Sequence, residues 1–157
     1  MAQFPMTVKG KEQLQVELKK LLSEERPKVI QAIEEARAHG DLSENAEYSA
    51  AKEKQSFIEG RIEEINSKLA QAQVIDPLSI KEKRVVFGAT VQLHDIDSGE
   101  RLEYQIVGED ESDVKKGKIS ITSPIARGLI GKVKGDEVEV IVPKGTKNLE
   151  ILSVQYI

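Results

Sequence analysis

Two long amphipathic stripes, separated by a very short break, dominate the first half of the sequence. Apolar residues recur at steps of three, four or seven from Thr7 to about His39, and alternate between steps of four and three from about Ser43 to Val74. Both spacings place the apolar residues on one side of an α-helix. The stripes consist of Leu14, Leu18, Leu21, Leu22, Val29, Ile33 and Ala36, and of Ile58, Ile62, Ile65, Leu69 and Ala72.

The shortness of the break determines how these two helices pack. Helices of about 30 residues joined by so few residues must run antiparallel with their stripes in contact, which gives a hairpin about 45 to 50 Å long. Thr7 is the predicted N-cap of the first helix, and Gly40 is the predicted left-handed residue after its end. Pro27 lies inside the first helix, where it removes one hydrogen bond, so we expect a kink between Glu24 and Pro27.

The hydrophobic period changes to two after Asp76 and Pro77, which have the composition of a linker. A short helix is predicted among the strands, with Ser123 as its cap, Pro124 at its first position and Gly128 at its end. The strand candidates are 84–95, 101–109, 117–123, 136–143 and 148–157. The sequence therefore predicts an α+β protein, with an antiparallel α-helical coiled-coil hairpin over residues 1–75 and a small β-rich globular domain over residues 76–157.

Composition excludes several classes of function. The chain has 157 residues with a formal net charge of −4, and neither half has the basic excess of an autonomous DNA-binding domain. Three Phe, three Tyr and no Trp leave little for base stacking, and the absence of Cys excludes disulfides and thiolate metal sites. No apolar run has the length of a signal peptide or membrane span, so we expect a cytoplasmic protein without membrane contact. We also expect a monomer.

Asp41 and Glu44, three positions apart in the break, allow two interpretations. An acid at the N-cap with Glu at the third helical position forms a capping box, and Ser43 competes for the same role. The break also contains a third acid, Glu47, although capping needs only one good acceptor. Two carboxylates at this spacing can alternatively supply part of the oxygen ligands of Mg²⁺, with water and phosphate completing the octahedron.

Such a half-site needs a partner that brings the remaining ligands and the phosphate. Arg37, Lys52, Lys54 and Lys28 could attract a phosphodiester strand along the hairpin, although without a partner a solvated helix face with i,i+4 ion pairs is the simpler explanation. No phosphate-binding loop or histidine metal site can be identified, so no cofactor is predicted to bind tightly to the free protein.

Two longer motifs carry a resemblance to a known family. The segment "ARAHGDLSENAEYSAAKEKQ" at 36–55 is similar to the hairpin tip of the bacterial transcript cleavage factors of the GreA/GreB family, and "ISITSPIARGLIGK" at 119–132 resembles the signature of their C-terminal domain. The resemblance extends from "FPMT" near the start to the final strand. It implies a coiled-coil hairpin followed by a domain of FKBP-like fold.

The resemblance also implies a partner and a mechanism. Members of this family bind bacterial RNA polymerase and pass the hairpin through its secondary channel to the active site. There the two tip acids, Asp41 and Glu44 here, help to hold a Mg²⁺ ion shared with the polymerase and orient a water molecule. The polymerase then cleaves the nascent RNA 3′ segment of a backtracked, arrested ternary elongation complex, and elongation resumes. The implied role is that of an accessory factor, not of an enzyme.

Further residues take roles from the same resemblance. Arg37 and Lys52 would contact the extruded RNA, although Lys52 lacks the planar fork of the arginine that is common at its position. Leu42, Asn45 and Tyr48 would support the tip. The alternatives are a homologue that blocks the channel, against which the intact tip acids argue, and a peptide-binding module or holding chaperone that works without Mg²⁺.

Overall fold

The computed structural model describes residues 3–41 and 44–157 and confirms the predicted α+β fold class. The chain forms two compact units. The first is Lys11–Ala72, and the second combines the N-terminal segment that ends at Gly10 with Gln73–Ile157. The predicted division at 75/76 differs from this grouping at the N-terminus, because the first strand pairs with a strand that begins at Ala72. Within the described ranges, no helix is long and apolar enough to cross a membrane.

The first unit contains the helical hairpin. Helix α1 spans Val8–Lys20, a π-helical turn follows at Leu21–Glu25, α2 spans Arg26–Arg37, and α3 returns over Ala46–Ala70. The predicted stripes form the seam between the helices, with Leu14, Val29, Ile33, Ala36, Ile58, Ile62 and Ile65 buried and Leu18 and Leu21 packed beside them.

Two members of the predicted stripes lie elsewhere. Leu22 is 41% exposed, because the π-helical turn shifts the helical register at this point. Ala72 belongs to a strand rather than to the second helix, which ends at Ala70 and not near Val74 as the periodicity suggested. Periodicity could not detect this end, because the strand that begins at Ala72 depends on a partner distant in sequence.

A kink was predicted between Glu24 and Pro27, and the structure has a π-helical turn at Leu21–Glu25, just before this proline. The Arg26 N–H donates to the Leu21 oxygen, five residues back, and Pro27 follows in the first turn of α2. Proline has no N–H to donate, and its ring clashes with the carbonyl four residues earlier in a regular helix. The wider π-helical turn accommodates the ring just where regular α-helical bonding would fail.

Two bidentate ion pairs link the helices across the seam. The Arg61 guanidinium donates to both Glu17 carboxylate oxygens at 2.6 and 2.8 Å, and Arg26 binds Glu59 in the same manner at 2.9 and 2.7 Å. The hydrogen bonds from Arg61 hold the pKa of Glu17 below its ordinary value. Because the Glu17 side chain is 41% exposed, water screens the pair and limits its contribution to stability.

We expect Glu17→Gln to lower the free energy of unfolding by about 0.5 to 1 kcal/mol at pH 7. A carboxyl with a depressed folded pKa stabilises the fold above its unfolded pKa, so the difference from wild type must shrink as the pH falls from about 4.5 through the lower folded pKa. Urea unfolding at pH 7 and pH 3 measures the difference in free energy of unfolding between wild type and variant. Glu12→Gln, also on α1, is the matched control. A difference that is equal at both pH values contradicts the assignment.

The second unit is built on a five-stranded sheet and a two-stranded ribbon. The ribbon pairs β1 with β2, and the sheet has the order β5-β4-β3-β7-β6, in which only β4 and β5 run parallel. The strands are β1 Phe4–Thr7, β2 Ala72–Ile75, β3 Thr90–Asp95, β4 Arg101–Val107, β5 Lys118–Ser120, β6 Glu137–Val142 and β7 Gly145–Gln155. Strands β3 to β7 confirm the five candidates, whereas β1 and β2 were not predicted.

Helix α4, Pro124–Leu129, covers one face of this sheet. The Ser123 side chain accepts from the Ala126 N–H at 3.3 Å, so the predicted cap is confirmed. The role predicted for Gly128 was wrong, because this residue lies inside the helix, where a Cβ would stand 2.9 Å from the Val140 side chain. Gly128 therefore permits close packing, and the chain turns at Gly131 with φ +84°.

A buried carboxylate anchors the beginning of α1. Glu111, only 7% exposed, accepts hydrogen bonds from the Thr7 hydroxyl and from the Thr7 N–H, the latter at 2.9 Å. The Thr7 hydroxyl oxygen in turn accepts from the Gly10 N–H at 3.1 Å, which confirms Thr7 as the N-cap. A Cβ on Gly10 would stand 2.0 Å from the Glu111 carboxyl carbon, so only glycine fits against this carboxylate.

We expect Gly10→Ala to destabilise the protein by about 1 to 3 kcal/mol, because the added methyl group must displace Glu111 from its donors. Gly60→Ala is the matched control, since Gly60 is also a helical glycine but a Cβ there meets nothing within 4 Å. In an exposed helix interior this control should gain up to about 1 kcal/mol.

Denaturant unfolding measures the stability changes of Gly10→Ala and Gly60→Ala. Hydrogen exchange of the Thr7 amide reports whether its bond to Glu111 persists. The assignment is wrong if both alanine variants shift stability in the same direction and the Thr7 amide exchanges at the wild-type rate in each.

Candidate functional site at the hairpin tip

The tip consists of the residues that join α2 to α3. Helix α2 ends at Arg37, the His39 N–H donates to the Ala36 oxygen at 3.1 Å, and Gly40 has φ +124°. The positive φ that was predicted for Gly40 is therefore present and leads the chain out of the helix. Asp41 and Glu44 follow on the described part of the tip, and Leu42 and Ser43 lie outside the described residues.

One amide side chain connects the two helix ends. The Asn45 Oδ1 atom accepts from the Tyr48 N–H at 3.1 Å, which makes Asn45 the N-cap of α3. Its Nδ2 group donates to the Ala36 oxygen at 2.6 Å, which satisfies a carbonyl in the last turn of α2. The same residue therefore caps one helix and closes the turn onto the other.

The capping-box interpretation of Asp41 and Glu44 is consequently wrong. Helix α3 begins at Ala46, so Glu44 precedes the N-cap instead of occupying the third helical position. An ionised carboxylate only accepts hydrogen bonds, whereas the Asn45 amide also donates one to the carbonyl of the neighbouring helix. The position that bridges both helices thus needs a side chain that both donates and accepts, which an ionised carboxylate cannot do.

The two acids instead lie exposed at one concave surface. Asp41 and Glu44 are both exposed and line a shallow depression together with His39, Asn45, Ala46 and Glu47. Glu47 is in the first turn of α3, where its charge is favourable beside the positive end of the helix dipole. The depression therefore presents acidic oxygen atoms to solvent.

This donor set fits a magnesium ion in part. Carboxylate oxygens are the hard ligands that Mg²⁺ prefers, and the ion usually takes one or two of them with water and phosphate as the remainder. Among the described residues, no group of three or more His, Cys, Asp or Glu is arranged to hold a metal ion. Asp41 and Glu44 therefore offer at most part of a magnesium coordination shell.

Two of the predicted basic residues lie on the helices that flank the tip. The Arg37 guanidinium carbon is 5.9 Å from the centre of the Tyr48 ring, a cation–π arrangement that orients the charge. Lys52 is exposed one helical turn beyond Tyr48 and donates to Gln55 at 3.3 Å. Of the predicted supporting residues, Asn45 and Tyr48 make these local contacts. The contact between Arg37 and Tyr48 was not predicted from the sequence. It could have been inferred because the two residues lie on facing helices, close to the same turn.

Comparison with known proteins now decides the family. Residues 4–74 match the family described as "Transcription elongation factor, N-terminal", and residues 80–156 match "Transcription elongation factor, GreA/GreB, C-term". This chain belongs to the GreA/GreB family. The resemblance drawn from the two motifs is thereby confirmed, and the chain is a transcription elongation factor of the GreA/GreB type.

Individual GreA proteins are similar over the full length. The transcription elongation factor GreA of Hyphomonas neptunium is 60% identical over 156 residues, with 99% of each chain covered. That of Alkalilimnicola ehrlichii is 57% identical over 157 residues, again with 99% of each covered. The crystal structure of GreA factor homolog 1 (Gfh1) of Thermus thermophilus is 28% identical and covers 98% of this chain and 99% of its own, with a TM-score of 0.45.

For this GreA/GreB family member we expect Asn45→Ala to lower the free energy of unfolding by about 1 to 2 kcal/mol, because the cap and the bond to Ala36 are both lost. Asn45→Asp keeps the acceptor for the Tyr48 N–H but cannot donate to Ala36, so it isolates the bond between the helix ends. The Tyr48 amide should stay protected from hydrogen exchange in Asn45→Asp and lose protection in Asn45→Ala. Equal protection of that amide in all three proteins would exclude Asn45 as the N-cap.

Proposed function

We propose that this protein binds RNA polymerase and inserts its helical hairpin into the secondary channel. There it stimulates the polymerase's own Mg²⁺-dependent endonucleolytic cleavage of the nascent RNA 3′ end in backtracked, arrested complexes, so that elongation resumes. The observation that carries the proposal is the tip itself, where Asn45 caps α3 and Asp41 and Glu44 remain at an exposed depression. Membership of a transcription elongation factor family supports it.

The tip acids are the proposed metal ligands. Asp41 and Glu44 would hold, from one side, a Mg²⁺ ion that the polymerase active site holds from the other. When bound, such an ion lowers the pKa of its water and neutralises charge that develops on the phosphate. The amide that joins Ala36 to Tyr48 keeps the backbone on both sides of the acids in place, which reduces the entropy lost when they engage the ion.

The basic residues are the proposed RNA contacts. Arg37 lies against the Tyr48 ring, and this contact restricts the guanidinium to one side of the tip. Lys52 adds a second cation on α3, so the extruded RNA 3′ segment would pass two positive charges near the acids. Because Lys52 has no planar fork, its contact with phosphate is a single charge interaction rather than a bidentate one.

The protein is proposed to act as an accessory factor and not as an enzyme by itself. Its acids supply only part of a metal site, and the remaining ligands and the RNA come from the polymerase complex. The free protein is therefore proposed to be a cytoplasmic monomer without a tightly bound cofactor. Leu42 stays a predicted support of the tip.

A backtracked polymerase complex with 3′-labelled RNA and Mg²⁺ near neutral pH tests the proposal. The wild type should accelerate release of the short labelled fragment, and Asp41→Ala or Glu44→Ala should reduce the factor-dependent rate by about a hundredfold or more. Glu53→Gln, which removes an exposed acid from α3 away from the depression, should retain the wild-type rate. The factor without polymerase should cleave nothing.

Binding is measured separately, by displacement of fluorescently labelled wild type from the polymerase. The tip variants should displace it as wild type does, because they lose metal ligands and not the binding surface. Wild type that binds the complex but slows cleavage would identify a channel-blocking homologue. Equal cleavage in every sample, without displacement, would refute the proposal.

A further inference from the structure

Strand β6 forms one edge of the five-stranded sheet. It spans Glu137–Val142 and pairs antiparallel with β7 on one side, and no strand of the described chain pairs with its other side. In an antiparallel pair, alternate residues direct their N–H and C=O groups away from the partner strand. Half of the backbone groups of β6 therefore point outward, which is the geometry that accepts an additional strand.

The side chains of β6 alternate between the core and solvent. Val138 and Val140 are buried in the core, whereas Glu137, Glu139 and Ile141 are exposed, Ile141 to 76%. Natural edge strands often carry Lys or Pro, which discourages pairing with other chains. This strand instead presents two acids and an apolar side chain, and neither acid forms an ion pair within the described residues.

Further acids lie on the β7 side of this strand. Glu137 lies directly opposite Glu150 of β7 in the register of the sheet, and like charges in such a cross-strand pair destabilise it. Asp97 lines a surface depression with Glu137 and Glu139, where it accepts a hydrogen bond from Asn148 at 3.1 Å. A cation placed beside β6 would relieve the repulsion between these carboxylates.

We propose that the outer edge of β6 binds an extended segment of a partner protein with Lys or Arg at alternate positions. The segment would add a sixth strand through main-chain hydrogen bonds, place basic side chains beside Glu137 and Glu139, and lay the aliphatic stem of the next one against Ile141. This proposal concerns the β-rich unit and is independent of the role proposed for the hairpin tip.

Charge selects this occupant over two others. In the symmetric antiparallel pairing of β6 that is centred on Glu139, the Glu139 side chains of the two copies lie side by side, which disfavours a dimer in this register. A nucleic acid is disfavoured as well, since its phosphates would lie against Glu137, Glu139 and Asp97 without neutralising cations. A basic, extended polypeptide satisfies both the unpaired backbone and the unpaired acids.

The test uses full-length ¹⁵N-labelled protein and a blocked ten-residue peptide of alternating Lys and Val, with an alternating Glu and Val peptide for comparison. The Lys peptide should bind and slow hydrogen exchange of those β6 amides that point away from β7. N-methylation of the peptide's backbone on the side that faces β6 should abolish binding, because strand addition requires those amides.

Glu137→Lys/Glu139→Lys should weaken binding of the Lys peptide about tenfold or more and create binding of the Glu peptide. Glu34→Lys/Glu35→Lys on α2 changes the net charge equally and should leave the wild-type affinity. The proposal is overturned if both double variants weaken binding equally, if the N-methylated peptide still binds, or if the protected amides lie at the hairpin tip instead of in β6.

Discussion

The side-chain amide of Asn45 is the interaction on which the tip depends. It accepts from the first turn of one helix and donates to the last turn of the other, at 3.1 and 2.6 Å, so the two helix ends are fixed by a single planar group. A carboxylate or hydroxyl could cap α3, but a carboxylate has no proton to donate to Ala36. Because an amide fills the capping position, Asp41 and Glu44 are not needed to begin the helix. Their occurrence at an exposed depression thus calls for another explanation, and binding of a shared cation supplies one.

The two compact units reach stability in different ways. The β-rich unit buries a continuous core between sheet and α4, in which Val91, Leu93, Leu129 and Leu149 are fully buried. The hairpin has a narrow apolar seam, and polar contacts on its flanks, such as the bidentate pair of Glu17 and Arg61, supplement it. Flanking pairs of this kind contribute little individually because water screens them. Registration of the two helices therefore rests mainly on the seam and on the bond at the tip.

The sequence predicted those elements whose signal is local and missed those that depend on distant partners. The change of hydrophobic period from helical to alternating separated the hairpin from the sheet, and Ser123 and Pro124 marked the start of α4 correctly. Strands β1 and β2 were missed because their four-residue lengths contain no period that can be measured, and they exist only through mutual pairing.

The candidate site shows the same limit. The tip acids and Asn45 were identified as residues of interest, but the local rule for capping placed the helix start at Asp41 rather than at Asn45. The rule fails here because the N-cap side chain also binds the Ala36 carbonyl, nine residues before Asn45. The turn at Gly40 brings the chain back towards that carbonyl. A capping pattern read from spacing alone cannot include a hydrogen bond to the preceding helix.

The acidic residues of this protein differ in whether their carboxylates have hydrogen-bond or ion-pair partners within the fold. Glu111 is buried with the Thr7 donors around it, and Glu17 is held by Arg61, so both have their charge compensated within the fold. Within the described ranges, Glu137 and Glu139 form no ion pair, and the outward backbone groups of β6 pair with no other strand. The tip acids differ again, since their depression offers oxygen atoms without an unpaired strand edge. The two proposals accordingly assign different partners, a small hard cation to the tip and a basic extended chain to the sheet edge.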